Sequence, residues 1–209
     1  MDKICFTIDG RQVVADKGAT ILEVALRNNI YIPHLCYHPS LKPSGTCRLC
    51  TVEVNSSELV TACRTPAEEG MEVKTRSSGV DSAVRPIVEL IIADHHASCR
   101  GCPSSGRCTL QKMMSNLRID RRRVRRLRSP KEELPLETLN RCFDYEPNKC
   151  VRCGICVQTC EHLHRTSSLY FVERGYGTKI AFFGDESKCV SCLECVARCP
   201  VGVLISRNT

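Results

Sequence analysis

The chain has no tryptophan, and its five Phe and five Tyr are spread over 209 residues. A large core packed around aromatic rings is therefore excluded. Long apolar runs are missing as well. The best of them, "PIVELIIA" at residues 86–93, contains Glu89 and falls far short of the roughly 18 residues of a membrane span, so no span is expected. The opening "MDKICFTIDGRQ" lacks the apolar stretch and small-residue cleavage site of a secretory signal, so a cytoplasmic, reducing location is expected. There is no G-x-G-x-x-G or Walker loop to cradle a nucleotide. Nor does any Ser/His/Asp or paired-carboxylate arrangement stand out, so no active site is expected within this chain.

What the chain has in abundance is cysteine, 17 residues of it. That density would suggest a disulfide scaffold in a short secreted protein, but in a reducing compartment clustered thiols point to metal. Bound metal would also hold together modules too small to build a core of their own. Two stretches are near copies, "CVRCGICVQTC" at Cys150–Cys160 and "CVSCLECVARC" at Cys189–Cys199.

The chain reads as an α+β protein in three parts. Residues 1–78 alternate like strands around one helix: "KICFTI", a hairpin turn at Asp9-Gly10, "RQVVA", then "RLCTVEV", "ELVTAC" and "MEVKT". Thr20 and Glu23 form a capping box ahead of "ILEVALRNN", and strands wrapped on one helix suggest a β-grasp module. Residues 79–135 are helical in pattern, with Val80, Val84, Ile87, Val88, Ile91 and Ile92 at helical spacing up to His95 and His96. Pro86 should kink that helix or mark its first turn. Residues 136–209 form a short, loop-rich module around the two repeats.

Four ligand sets emerge in order. Cys36, Cys47, Cys50 and Cys63 are spaced C-x10-C-x2-C-x12-C, with small residues in "PSGTCRLC" that let backbone N–H groups approach the sulfurs of a [2Fe-2S] site. Structural zinc is the alternative for four Cys, although zinc usually takes paired C-x2-C knuckles. Next, "HHASCRGCPSSGRC" offers only Cys99, Cys102 and Cys108. One imidazole of the His95-His96 pair could complete that set, and His95 has the better reach by spacing; a His at a helix end is otherwise a favourable dipole partner.

The repeats have the C-x2-C-x2-C-x3-C spacing of ferredoxins that carry two [4Fe-4S] cubes. The first three thiolates hold one cube and the fourth crosses to the other. This predicts Cys150, Cys153, Cys156 and Cys199 on one cube, and Cys160, Cys189, Cys192 and Cys195 on its partner. Pro200 follows Cys199 as usual, but Glu161 stands after Cys160. Cys5 lies in a strand pattern and reads as a small core hydrophobe; Cys142 has no assigned role.

These four motifs in this order, with "YIPHLCYHP" and "CVARCPVGVL", resemble the N-terminal region of the complex I large iron–sulfur subunit. They resemble still more the small diaphorase-side subunit of soluble NAD-linked or electron-bifurcating [NiFe] hydrogenases, and the iron–sulfur arm of multimeric [FeFe] hydrogenases. The resemblance implies one [2Fe-2S] and three [4Fe-4S] clusters, with His95 as the unusual ligand. It implies a relay for single electrons in a hetero-oligomer, between a flavin-binding NAD(P)H-oxidising subunit with its small iron–sulfur partner and the small and large hydrogenase subunits. A formate dehydrogenase partner is the alternative within this class. No residues remain after residue 209 for an H-cluster or molybdopterin domain, so chemistry on the terminal substrate is expected elsewhere.

One segment stands apart from the clusters. "RIDRRRVRRLRSP" carries Arg118, Arg121, Arg122, Arg123, Arg125, Arg126 and Arg128 in a chain of net charge +7. It could neutralise nucleic-acid phosphates in a redox-sensing regulator, form a solvated face, dock an acidic partner or screen cluster charge. No aromatic residues interleave it, so partner docking or screening is the favoured reading and nucleic-acid binding is not expected.

Overall fold

A computed structural model describes residues 3–95, 99–130 and 133–207. His96 lies outside the described residues, and with it the expectation that the helix reaches that far. The chain divides into two compact units, residues 1–88 and 89–209.

In the first unit, β1 (Lys3–Ile8) turns Ile4, Phe6 and Ile8 inward. Asp9 and Gly10 both have positive φ, 50° and 76°, the geometry of a two-residue hairpin turn. β2 (Arg11–Asp16) therefore pairs antiparallel with β1 from Ile8↔Arg11 to Lys3↔Asp16. Strand alternation also corrects one expectation. Cys5 sits on the opposite face from Ile4 and Phe6, half-buried rather than in the core, and its Sγ accepts from Gln12 Nε2 at 3.0 Å.

α1 (Ile21–Arg27) starts at the capping box legible in the sequence. Thr20 Oγ1 accepts from Glu23 N at 3.3 Å, and Glu23 Oε2 accepts from Thr20 N at 3.0 Å. Two otherwise unpaired N–H groups are satisfied reciprocally. Thr20→Ala is expected to cost about 1 kcal/mol, read as a fall in thermal midpoint.

β3 (Thr51–Val54), β4 (Glu58–Thr61) and β5 (Glu72–Lys74) complete a sheet of order β2-β1-β5-β3-β4, in which β1 and β5 are parallel. Ile21, Leu22, Val24 and Ala25 of α1 share one core with Phe6, Ile8, Val52 and Val73. This is the β-grasp arrangement. β3 begins three residues later than "RLCTVEV" suggests, because Arg48, at φ 57°, bends the chain through the cysteine loop.

α2 (Ser78–Asp94) runs through Pro86, so that residue is not the first turn of the helix. The Ser82 carbonyl consequently receives no N–H from position 86. Val80, Val84, Val88 and Ile92 form its buried stripe.

In the second unit, α3 (Thr109–Asn116) buries Leu110 and Met113. α4 (Arg121–Leu127) is the arginine segment, capped by Asp120 Oδ1 accepting from Arg122 N at 2.8 Å, with Val124 buried. β6 (Glu137–Thr138), β7 (Phe143–Tyr145) and a late strand form a three-stranded sheet. α5 (Ile155–His164), the hairpin of β8 (Leu169–Val172) and β9 (Lys179–Phe182), α6 (Glu194–Ala197) and β10 (Leu204–Ser206) follow. The sheet order is β10-β7-β6. Phe143, Tyr145, Leu169 and Ile180 are the second unit's largest fully buried side chains besides Met113.

The two repeats share a local turn. Gly154 (φ 77°) and Leu193 (φ 46°) follow the second Cys of each, and both are left-handed caps of the helix that carries the third thiol; α5 also carries Cys160, whereas Cys199 lies just past α6. Among the described residues no helix is long and apolar enough to cross a membrane.

Candidate metal centres

The loop between α1 and β3 carries Cys36, Cys47 and Cys50, and Cys63 follows β4. Cys36, Cys50 and Cys63 are buried and Cys47 is half-buried. Cys47 N lies 3.4 Å from Cys36 Sγ. The thiols interact two by two. A hydrogen bond from the Cys47 thiol is the main cause that pulls the Cys36 thiol down, against burial and helped by Ser44 and Thr46, while Cys47 is pushed up. Cys50 and Cys63 stand in the same relation, with Cys63 lowered by Cys50 and Cys50 raised. Two pairs of thiols, each with one sulfur held toward the thiolate, fit a group of two bridged irons that takes two sulfurs on each. Gly45 (φ 70°) keeps the loop close to Arg64; a Cβ there would come within 2.6 Å of Arg64 Cδ.

The thiols of the two repeats influence one another. Burial pushes the Cys156 thiol well up, and the neighbouring Cys153, Cys150 and Cys199 add to it. Cys150 is also raised, chiefly by burial. Burial raises Cys195 to about 12, with Cys160, Cys189 and Cys192 as its next contributors. For Cys189, raised to about 11, the causes after burial are Cys142, Cys160 and Cys192. So Cys199 acts on the Cys156 thiol alongside Cys150 and Cys153, with a smaller influence from Cys195, and Cys160 acts on Cys189 and Cys195. Four sulfurs cannot stay ionised together in a buried site unless cations lie between them, and iron meets that demand. Backbone donors are already aimed at the crossing ligands: Ser168 N is 3.2 Å from Cys160 Sγ and Val203 N is 3.4 Å from Cys199 Sγ.

The third set is less assembled. Cys108 is buried at the N-cap of α3, Cys102 is half-buried and Cys99 exposed. His95, just past α2, places Nδ1 2.8 Å from the Lys149 carbonyl oxygen. With Nδ1 donating there, Nε2 is the nitrogen by which the ring would reach an iron. Asp94 Oδ2 meanwhile accepts from Arg152 Nη1 at 2.9 Å, which fixes the same turn against the Cys150–Cys153 loop.

Two residues beside the cubes carry no spacing signal. Tyr145 is fully buried; its hydroxyl accepts from Ile180 N at 3.4 Å, and its hydrogen bonding toward the Cys150 thiol partly offsets the rise that burial causes there. Asn140 is also buried, its Oδ1 accepting from Cys142 N at 2.8 Å and Phe143 N at 3.1 Å, its Nδ2 3.9 Å from Cys189 Sγ. Their identity is ordinary in sequence, and only β7 and its preceding turn bring them to the sulfurs. Removing the hydroxyl in Tyr145→Phe takes a donor from Cys150. The midpoint potential of that cube is expected to fall by the worth of one hydrogen bond, about 1 kcal/mol or some tens of millivolts, with the other centres unmoved in a redox titration.

Comparison with known proteins finds iron–sulfur domains along the chain. A 2Fe-2S iron–sulfur cluster binding domain matches residues 1–78, an NADH-ubiquinone oxidoreductase-G iron–sulfur binding region residues 85–123, and a 4Fe-4S dicluster domain residues 149–203. The chain is an iron–sulfur relative of the complex I G subunit. It is 32% identical to the NADPH-Fe(3+) oxidoreductase subunit alpha of Geobacter sulfurreducens over 98% of its own length and 24% of that protein. Identity to the NADP-reducing hydrogenase subunit HndD of Solidesulfovibrio fructosivorans is 31%, over 100% of this chain and 37% of that one. This G-subunit relative thus spans about a quarter to a third of these curated proteins. The crystal structure of an NAD+-reducing [NiFe]-hydrogenase contains a chain of nearly the same extent, with a TM-score of 0.83 and 27% identity over 99% of this chain and 88% of that one.

Proposed function

We propose that this chain is a non-catalytic relay that passes single electrons through one [2Fe-2S] and three [4Fe-4S] clusters. The centres are held by Cys36, Cys47, Cys50 and Cys63; by His95, Cys99, Cys102 and Cys108; by Cys150, Cys153, Cys156 and Cys199; and by Cys160, Cys189, Cys192 and Cys195. In this reading the three functional modules are residues 1–78, 79–135 and 136–209. When bound, the clusters supply one-electron storage and transfer. The protein's own part is to fix their separation, bury them, and tune them through donors such as Tyr145 and Ser168 N.

The reading is supported above all by the twice-written C-x2-C-x2-C-x3-C spacing, with Cys199 acting on the Cys156 thiol and Cys160 on the Cys195 thiol, a pattern with no use for a single metal ion or a packed core. The partners proposed are a flavin-binding NAD(P)H-oxidising subunit with its small iron–sulfur partner, and a hydrogenase module. Support for the hydrogenase over formate comes from the near full-length match to a chain of the NAD+-reducing [NiFe]-hydrogenase.

Anaerobic affinity purification from the native cells, with iron analysis and mass spectrometry of accompanying subunits, tests this. About 14 irons per chain, together with flavin and hydrogenase subunits, is the expected result. A molybdenum or tungsten subunit would redirect the relay to formate. Stoichiometric zinc with little iron would overturn it.

A further inference from the structure

The arginine segment is the sequence feature that the clusters do not absorb. Folded as α4, its arginines are not equivalent. Arg123 Nε turns inward to Glu89 Oε2 at 2.7 Å, and the Glu89 side chain is 3% exposed. That pair anchors the helix, because a buried carboxylate needs a hydrogen-bonded cation. Arg121, Arg125 and Arg128, spaced i, i+4, i+7, form a separate stripe.

This stripe lines one side of a cleft of about 710 Å³, with Arg100 also on its wall and Ile92, Met114, Ile119 and Val124 supplying apolar surface. No acidic side chain lines the cleft among the described residues, and none there pairs with Arg121, Arg125 or Arg128. Exposed Cys99, a proposed cluster ligand, opens onto the same cleft.

We propose that this cleft is the docking site for an acidic, partly apolar segment of a partner subunit. Guanidinium forks match carboxylates two bonds at a time, and the apolar floor takes the hydrophobic side chains between them. The stripe of Arg121, Arg125 and Arg128 also steers an acidic partner from a distance. Nucleic acid fits the cleft less well. It has no aromatic surface on which bases could stack, a phosphate backbone gains nothing from the apolar floor, and Arg123 is already engaged. A segment seated here would cover Cys99, so docking would place the partner against the His95–Cys108 centre. This proposal rests on the relay reading and adds where a partner engages.

The test uses the full chain in its native cells. A photo-crosslinking residue is placed at exposed Ser115 on the cleft, and Arg121→Glu/Arg125→Glu/Arg128→Glu is compared with the milder Gln triple. The crosslink is expected on one co-purifying subunit, within a peptide rich in Asp and Glu. The Glu triple should lose that subunit at least tenfold at physiological salt while keeping wild-type iron, and the Gln triple should show a smaller loss and a weaker salt dependence. If the Glu triple misfolds and loses iron, the Gln triple and the crosslink decide. Undiminished partner recovery in the triples, or a crosslink to nucleic acid or to a peptide without acids, overturns the proposal while leaving the relay intact. A wild-type chain recovered with no subunits at all overturns both.

Discussion

Cys199→Ser protein, purified without oxygen, is expected to carry about ten irons per chain instead of about fourteen, and Cys160→Ser to lose the same number from the other cube. The two variants are near mirror images in sequence, yet they should remove different centres. Cys199 lies beside Cys150 and Cys156, whereas Cys160 lies beside Cys189 and Cys195. Iron analysis gives the count, and low-temperature EPR of the reduced proteins tells which spectrum is missing. Each cube also holds its repeat to the other, since every fourth ligand comes from the opposite segment. Losing one should therefore lower thermal stability far more than a single buried thiol would, by several kcal/mol. Unchanged iron in either variant, or loss of the same spectrum in both, would show that the thiols are not exchanged.

A second large effect is expected at His95. His95→Cys should retain its cluster but lower its midpoint potential on the order of 100 mV, because an anionic thiolate stabilises the oxidised iron more than a neutral imidazole does. The change also removes the hydrogen bond to the Lys149 carbonyl that orients the ring. His95→Ala, with no ligand atom, should cost up to about four irons. Potentiometric titration followed by EPR separates the cases. A His95→Cys protein whose potentials all match the wild type would remove His95 from the ligand set and leave the third cysteine group without its fourth partner.

Much of the fold was legible locally. The Asp9-Gly10 hairpin and the Thr20–Glu23 capping box depend on residues at most a few positions apart, and both are present as written. The helix through Val80, Val84 and Val88 followed from spacing, although Pro86 proved compatible with its interior. The start of β3 was misplaced because the cysteine loop, not strand propensity, sets the backbone at Arg48. Cys5 was misassigned for a related reason: its strand was correct, but the register against β2 decides which face looks inward.

By itself the sequence determined that the chain carries a 2Fe-2S domain and 4Fe-4S domains, because ligand spacing along a short loop is a matter of covalent reach. Only the tertiary structure decided what surrounds them. Asn140 approaches Cys189 from a turn far back in the chain, and Glu89 is paired by an arginine that nothing in the run distinguishes from its neighbours. Such contacts join residues far apart in the chain. They arise from which strand lies beside which helix and which side chain is shut away from water, and no local pattern encodes either.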